Sequence, residues 1–163
     1  LGELRKSGFA PYGCIPILQH NDFVLAQAPV IVRYLGKVFK MWPTDVQEDA
    51  HAFSLTNACE DFRAKSFKLH FAKGDAKAAF AEEYKSKHLP RWFGNFQKFL
   101  QGDYVLGDKF YACDLALFDT LRLATEVGGD FAKNALAEHK QLQAFFDRIA
   151  SRPNIKAYLS KAV

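Results

Sequence analysis

A single short hairpin, followed by helical patterns for the rest of the chain, constrains the fold more than any other feature of this sequence. Ile15 to Leu18 form one apolar run, His20 to Asp22 supply turn residues, and Phe23 to Leu25 form a second apolar run. These runs predict two strands joined as a hairpin. Because two strands are not stable in water by themselves, the hairpin must belong to a larger sheet, completed by further chain or by a partner.

Helical spacing begins directly after the hairpin. Pro29 suits the first turn of a helix predicted over 29–36, where its missing N–H costs no hydrogen bond, and Gly36 is expected to weaken or end that helix. Residues 39–44 are predicted to be a linker. Thr44 is the expected N-cap of the next helix, over 45–72, because an acidic first turn follows it.

The remaining chain predicts four more helices and no further strand. They cover 76–100, with a kink or break at Pro90, then 112–127, ended by the glycines at 128 and 129, and finally 140–150 and 153–162. The expected fold is therefore α+β and mostly α.

Composition and cysteine usage exclude several classes of function. The net charge is +4, but the basic residues are dispersed in sequence, which argues against nucleic-acid binding. No apolar stretch has the length of a membrane span, and the first residues lack the apolar region of a signal peptide. Cys14, Cys59 and Cys113 have no metal-binding spacing, so we expect free thiols, no metal and a cytoplasmic location.

Residues 12–16 (YGCIP) form the first motif with chemical meaning. A cis X–Pro bond would turn the N–H and C=O of the preceding residue outward, where they can pair with an extended peptide. The motif resembles that of the cytosolic glutathione transferases, with Cys14 in place of the usual Gln or Lys. The resemblance implies that Ile15 and Pro16 bind the cysteinyl backbone of glutathione; the alternative is a trans proline at the start of an edge strand.

The same resemblance gives Tyr12 a role between subunits. In pi-class enzymes an aromatic residue at this position inserts as a key between two long helices of the partner. The alternative is a tyrosine in the core of its own subunit.

Two further motifs match the family at its spacing. Gln27 and Ala28 stand where the family has Gln-Ser at a helix start, and the resemblance implies that they hold the γ-glutamyl carboxylate with the free amides there. The alternative for Gln27 is a solvated helix cap. Asp61 matches an acid that reaches the glutathione amino group of the partner subunit, unless it pairs with Lys65 one turn later. Arg63 is expected to bridge the subunit interface.

Three positions complete the resemblance. Lys6 is the best match for a lysine that binds the glycyl carboxylate, with Ser7 one register away, and a solvated loop charge is its alternative. Phe71 matches an aromatic residue of the electrophile pocket. Asp114 matches the acid of a capping box, in which Tyr111 replaces the usual Ser or Thr and cannot cap in the same way.

The resemblance covers nearly the whole chain and is strongest to the pi and sigma classes. It implies a partial thioredoxin-like glutathione-binding domain over 1–38 without the first β-α-β segment, the linker 39–44, and an all-helical C-terminal domain over 45–163. The catalytic residue would precede Leu1, so no residue of this chain is assigned to catalysis.

The expected function is conjugation of reduced glutathione to hydrophobic electrophiles, as in detoxification. The expected protein is a cytoplasmic homodimer, with glutathione as its substrate and with neither nucleic acid nor membrane as a partner. Two alternatives remain: a glutathione-dependent isomerase or peroxidase of sigma type, and a non-catalytic binding or structural module.

Overall fold

The predicted hairpin is present at the start of the described chain. The computed structural model describes residues 2–3 and 9–161. Strands β1 (Ile17–His20) and β2 (Phe23–Ala26) pair antiparallel, with Ile17 opposite Ala26 and His20 opposite Phe23. Asn21 adopts φ 54° in the turn, a conformation that asparagine tolerates better than most residues. The fold class predicted from sequence is confirmed, since seven α-helices follow in the part of the chain that the structure describes.

Helix α1 (Ala28–Val38) continues past Gly36, so the prediction that this glycine ends the helix is wrong. Gly36 is buried, and a Cβ placed on it would lie only 2.8 Å from Cε3 of Trp42. The absence of a side chain therefore lets α1 pack directly on the linker residue Trp42.

Helix α2 (Val46–Phe71) is the first long helix of the body. Its N-cap is Asp45 rather than the predicted Thr44. The Asp45 carboxylate accepts hydrogen bonds from the amides of Gln47 at 2.9 Å and Glu48 at 3.0 Å. A carboxylate at this position also complements the positive end of the helix dipole, which explains why the acid caps the helix.

The predicted helix 76–100 is interrupted six residues before Pro90. Helix α3 (Gly74–Glu83) passes into a π-helical turn (Tyr84–His88), and α4 (Leu89–Phe99) follows. Pro90 is the second residue of α4 and directly follows the π-helical turn, so the α-helical hydrogen-bond pattern is broken just before the proline.

Helix α5 (Ala112–Glu138) consists of two helical segments that meet at Gly129, whose φ of 57° and ψ of -139° are not helical. The first segment therefore ends at the glycine pair 128 and 129, as predicted, and the second segment, up to Glu138, was not predicted. Helix α6 (Lys140–Ala150) matches its prediction, whereas α7 (Pro153–Leu159) ends three residues early. Among the described helices, none combines the length and the apolar character required to cross a bilayer.

The core lies between α2, α4, α5 and α6. Phe62 is fully buried at its centre, and its ring centroid lies 5.8 Å from that of Tyr84, 5.5 Å from Trp92 and 5.9 Å from Phe93. Burying an aromatic ring of this size contributes on the order of 2–3 kcal/mol. The helices thus build their core from side chains of their own.

Asp114 secures the start of α5 from inside this core. Its buried carboxylate accepts hydrogen bonds from the amide of Tyr111 at 2.7 Å and the amide of Val105 at 2.8 Å. The Tyr111 side chain makes no capping hydrogen bond, so only the acidic half of the predicted capping box forms. Burial raises the pKa of Asp114 to about 6, although the two amides oppose that shift.

Candidate functional site

The hairpin brings two of the predicted site segments to the same end of the sheet. The Ile15–Pro16 bond is cis, as the sequence predicted. Ile17, which follows Pro16, pairs with Ala26, which precedes Gln27, so both segments leave the hairpin at the same end. The side chain of Ile15 is 64% exposed. An extended ligand lying along this edge would therefore meet both segments.

Gln27 has an unusual backbone conformation at the start of α1. Its φ is 77° and its ψ is 114°, values that cost a non-glycine residue on the order of 1–3 kcal/mol and are found mainly at functional sites. Gln27 occupies the N-cap position of α1, and its exposed side chain makes no capping hydrogen bond, which also fits the alternative of a solvated helix cap. The first-turn amides of α1, beginning at Ala28, have no acceptor within the helix and can receive a carboxylate.

Asp61 is exposed on α2 and lies outside every ion pair found among the described residues. The alternative in which it pairs with Lys65 is therefore absent from the structure. Arg63 lies near it but binds within its own chain, to Oδ2 of Asp119 at 2.5 Å and Oε1 of Glu60 at 3.4 Å. Arg63 thus has ion pairs within its own chain, and its contact across a subunit interface stays a prediction.

Three predicted site residues remain. Two of them are exposed, and the third is not among the described residues. Tyr12 is 70% exposed, so the alternative of a core tyrosine is wrong. Phe71 is 71% exposed at the end of α2, with its ring centroid 6.2 Å from that of Phe67. Lys6 lies outside the described residues.

Sequence reasoning missed the cluster that fixes this site to the helical part of the molecule. Asp49, in the first turn of α2, accepts hydrogen bonds from two nitrogens of the Arg33 guanidinium and from Nε1 of Trp42. Lys37 places its Nζ 3.6 Å from the same carboxylate. The hydrogen bonds from Arg33 lower the pKa of Asp49 to about 2 against the opposing effect of burial. The sequence showed Asp49 only as part of an acidic helix start.

The thiols and the acidic residues offer little further chemistry. All three cysteines are free, and burial raises the pKa of Cys59 to about 12 and raises that of Cys113 as well, which keeps both thiols protonated. Cys14 is half-buried. Within the described ranges, no three His, Cys, Asp or Glu side chains converge in a way that could hold a metal ion.

Comparison with known proteins identifies the family. Residues 60–162 match the family described as "Glutathione S-transferase, C-terminal domain". The chain belongs to the glutathione S-transferase family. Glutathione S-transferase 1 of Ascaris suum is 30% identical over 162 residues, which cover 93% of this chain and 75% of that protein. Human glutathione S-transferase P is 30% identical over 164 residues, covering 98% of this chain and 73% of the relative.

Solved structures of similar proteins share the fold. A pi-class glutathione S-transferase of Onchocerca volvulus superposes with a TM-score of 0.85 at 22% identity, covering 98% of this chain and 75% of the other. The structure titled prostaglandin synthase D of Nilaparvata lugens superposes with a TM-score of 0.81 at 23% identity, covering 98% and 79%. The glutathione S-transferase fold, a partial thioredoxin-like part followed by an all-helical part, therefore describes this chain.

Proposed function

We propose that this glutathione S-transferase conjugates reduced glutathione to hydrophobic electrophiles. The observation that carries the proposal is Gln27, held at φ 77° at the positive end of α1 and directly following Ala26, which pairs with Ile17 next to Pro16. In the reaction, the glutathione thiol gives its proton to solvent, its sulfur forms a bond to an electrophilic carbon, and the leaving anion departs from that carbon. We assign no catalytic residue within the chain.

The first-turn amides of α1 explain how one end of glutathione would bind. The γ-glutamyl carboxylate would lie against the Ala28 amide and the Gln27 side chain, where helix-end charge contributes about 0.3–1 kcal/mol. The cysteinyl backbone would pair with Ile15 as an added strand does. Lys6 would hold the glycyl carboxylate at the other end of the tripeptide.

A homodimer would complete this site. The free carboxylate of Asp61 suits the ammonium of a glutathione molecule bound to the partner subunit. Tyr12 would be the key inserted into the partner, which is consistent with its exposure. The electrophile would lie near Phe71, whose exposed ring offers apolar surface. We further propose the division into domains at 1–38 and 45–163, a cytoplasmic location and a role in detoxification.

Glutathione binding provides the direct test. We expect the full-length gene product to be retained on immobilised glutathione and to conjugate 1-chloro-2,4-dinitrobenzene, with the product followed by its absorbance. No binding at millimolar glutathione would eliminate the proposal. Binding without conjugation would support the non-catalytic module, and turnover of hydroperoxides or endoperoxides above conjugation would support the isomerase or peroxidase.

A substitution at position 28 tests the site itself. Ala28→Ser restores a hydroxyl next to the carboxylate, and we expect glutathione affinity to rise several-fold in calorimetry, since a hydrogen bond contributes about 0.5–1.5 kcal/mol. Ala50→Ser, which adds the same hydroxyl to an exposed position of α2, is the matched control and should leave affinity unchanged. If both variants bind like the wild type, the α1 terminus does not hold the ligand.

A further inference from the structure

A cleft of about 570 Å³ lies where the end of α1, the linker and the loop before α5 meet. Lys37, Lys40 and Lys109 line it together with Thr44, Trp42 and Tyr111. Every charged residue of the lining is a lysine. Lys37 and Lys40 lie three residues apart where α1 ends and the linker begins, and Lys109 joins them from the loop before α5, a proximity that the sequence does not show.

The walls of this cleft are rigid. Trp42 and Tyr111 are only 4% and 7% exposed, and Nε1 of Trp42 donates to Oδ1 of Asp49 at 2.5 Å. The backbone around them is also tied down, because the amide of Met41 donates to the Gly36 carbonyl at 2.6 Å. These two walls of the cleft are therefore already ordered without a ligand, which lowers the entropic cost of binding.

The lysine charges are poorly neutralised within the chain. Lys40 and Lys109 are exposed and form no ion pair with any residue that the structure describes. Nζ of Lys109 lies 5.1 Å from the centre of the Tyr111 ring, which orients its ammonium without cancelling the charge. Lys37 lies 3.6 Å from Asp49, but that carboxylate already binds Arg33 through two hydrogen bonds. Like charges gathered in this way repel one another.

The C-terminal end of α1 does not offset this positive potential. The carbonyls of Leu35, Gly36 and Lys37 accept hydrogen bonds from the amides that follow the helix. Satisfying these carbonyls reduces the negative potential that a bare helix C-terminus would direct at an anion.

We propose that this cleft binds a small multivalent oxyanion, such as the diphosphate group of pyrophosphate or of a nucleoside diphosphate. Three ammonium groups match the charge of a diphosphate, and the Thr44 hydroxyl adds a donor. The cleft lies at the opposite end of α1 from Gln27, a separation on the order of 15 Å at 1.5 Å per residue. Oxyanion binding is therefore independent of the proposed glutathione site.

The test compares unfolding midpoints of the full-length protein in pyrophosphate and in NaCl of equal ionic strength, at pH 8. We expect the midpoint to rise by several degrees in millimolar pyrophosphate beyond any effect of NaCl, because a ligand bound only by the folded state stabilises it. The Lys40→Gln/Lys109→Gln variant should lose this shift, and its pyrophosphate affinity in calorimetry should fall at least about ten-fold. Without anion, its midpoint should rise, because the repulsion is relieved.

A matched control removes the same charge elsewhere. Lys98→Gln/Lys156→Gln changes two exposed lysines outside the cleft and should keep the full shift. Equal shifts in both double variants, or no shift beyond NaCl, would overturn the proposal. The same unfolding measurement is made with ADP. A larger shift in the midpoint than with pyrophosphate shows that the cleft binds a nucleotide, and an equal shift shows that it recognises only the phosphates. Glutathione binding should be unchanged in the cleft variant, so failure here is distinct from failure of the proposed function.

Discussion

The N-terminal region, residues 9–38, and the helical body, residues 46–159, are stabilised in different ways. The body contains nearly all of the buried apolar side chains found in the described residues, centred on Phe62. The N-terminal region buries little more than Ala10, Ala26 and Gly36, and it exposes large side chains such as Tyr12. The region proposed to bind glutathione therefore relies on the body for its position.

The junction between the two regions depends on a few specific contacts. Asp49 of the body binds Arg33 and Lys37 of the N-terminal region, and Trp42 of the linker packs on Gly36. Polar and steric contacts of this kind are sensitive to small changes, whereas a large apolar core loses stability in proportion to the volume removed. The two regions should therefore respond differently to mutation.

The largest expected effect is at the centre of the body. Phe62→Ala should lower the free energy of unfolding by about 3–5 kcal/mol, because it leaves a cavity among four aromatic rings. Phe23→Ala, at an exposed ring of the hairpin, should cost less than about 1 kcal/mol. Urea unfolding measures both. Similar losses in the free energy of unfolding for the two variants would show that the hairpin has a core of comparable importance, so the two regions would not differ in this way.

A smaller effect is expected at the junction. Gly36→Ala should cost about 2–3 kcal/mol, because its Cβ would lie 2.8 Å from Trp42 and force α1 away from the linker. Hydrogen exchange should show α1 losing protection before α2. Gly94→Ala is the matched control: its Cβ would lie 3.8 Å from His139, and removing a mid-helix glycine should stabilise the protein by about 0.5–1 kcal/mol. Uniform loss of protection across both helices would contradict the separation of regions.

The smallest expected effect is a difference between the two regions in how the free energy of unfolding depends on pH. The pKa of Asp49 is lowered to about 2 in the folded state, so its contribution is present above about pH 4 and is lost as pH falls towards 2. The pKa of Asp114 is raised to about 6, so stability falls as pH rises from about 4 to 6. Each shift corresponds to at most about 2–3 kcal/mol, and solvent screening reduces the contribution of the partly exposed Asp49 pair to about 1 kcal/mol or less.

Urea unfolding at pH values between 2 and 7 measures these two opposite changes in the free energy of unfolding. Asp49→Asn should flatten the profile below pH 4, and Asp114→Asn should flatten it between pH 4 and 6. The two variants thus serve as controls for each other. A profile in which both substitutions remove the same pH-dependent change would mean that the carboxylates do not titrate as separate groups.

Local signals predicted much of this molecule. The turn residues around Asn21, the proline in the first turn of α1 and the helical spacing of α2 all reported elements that the structure contains. Helix ends were less well predicted. Thr44 and Asp45 are both good capping residues, and only the observed hydrogen bonds identify the acid as the cap. Gly36 carries the same local signal as a helix-ending glycine, although its function is close packing.

The residues of the candidate site also divide into those that the sequence predicted and those that it did not. The motif residues Pro16, Gln27 and Asp61 could be named from the sequence, and the pairing of Ile17 with Ala26 brings the first two to the same end of the hairpin. The role of Asp49 could not be predicted, because its partners lie on another helix and in the linker. The cleft lined by Lys37, Lys40 and Lys109 was equally hidden, since dispersed basic residues gave no run of charge in the sequence.

The order of elements, the helical character of most of the chain and the resemblance to a glutathione transferase could all be predicted from the sequence. These properties depend on residues close in sequence, through turn chemistry, helical periodicity and short motifs. The structure was needed to show that Asp49 connects α1 to α2, that Gly36 lets α1 pack on Trp42, and that Lys109 shares a cleft with Lys37 and Lys40. These properties depend on distances between segments, which local sequence signals do not specify.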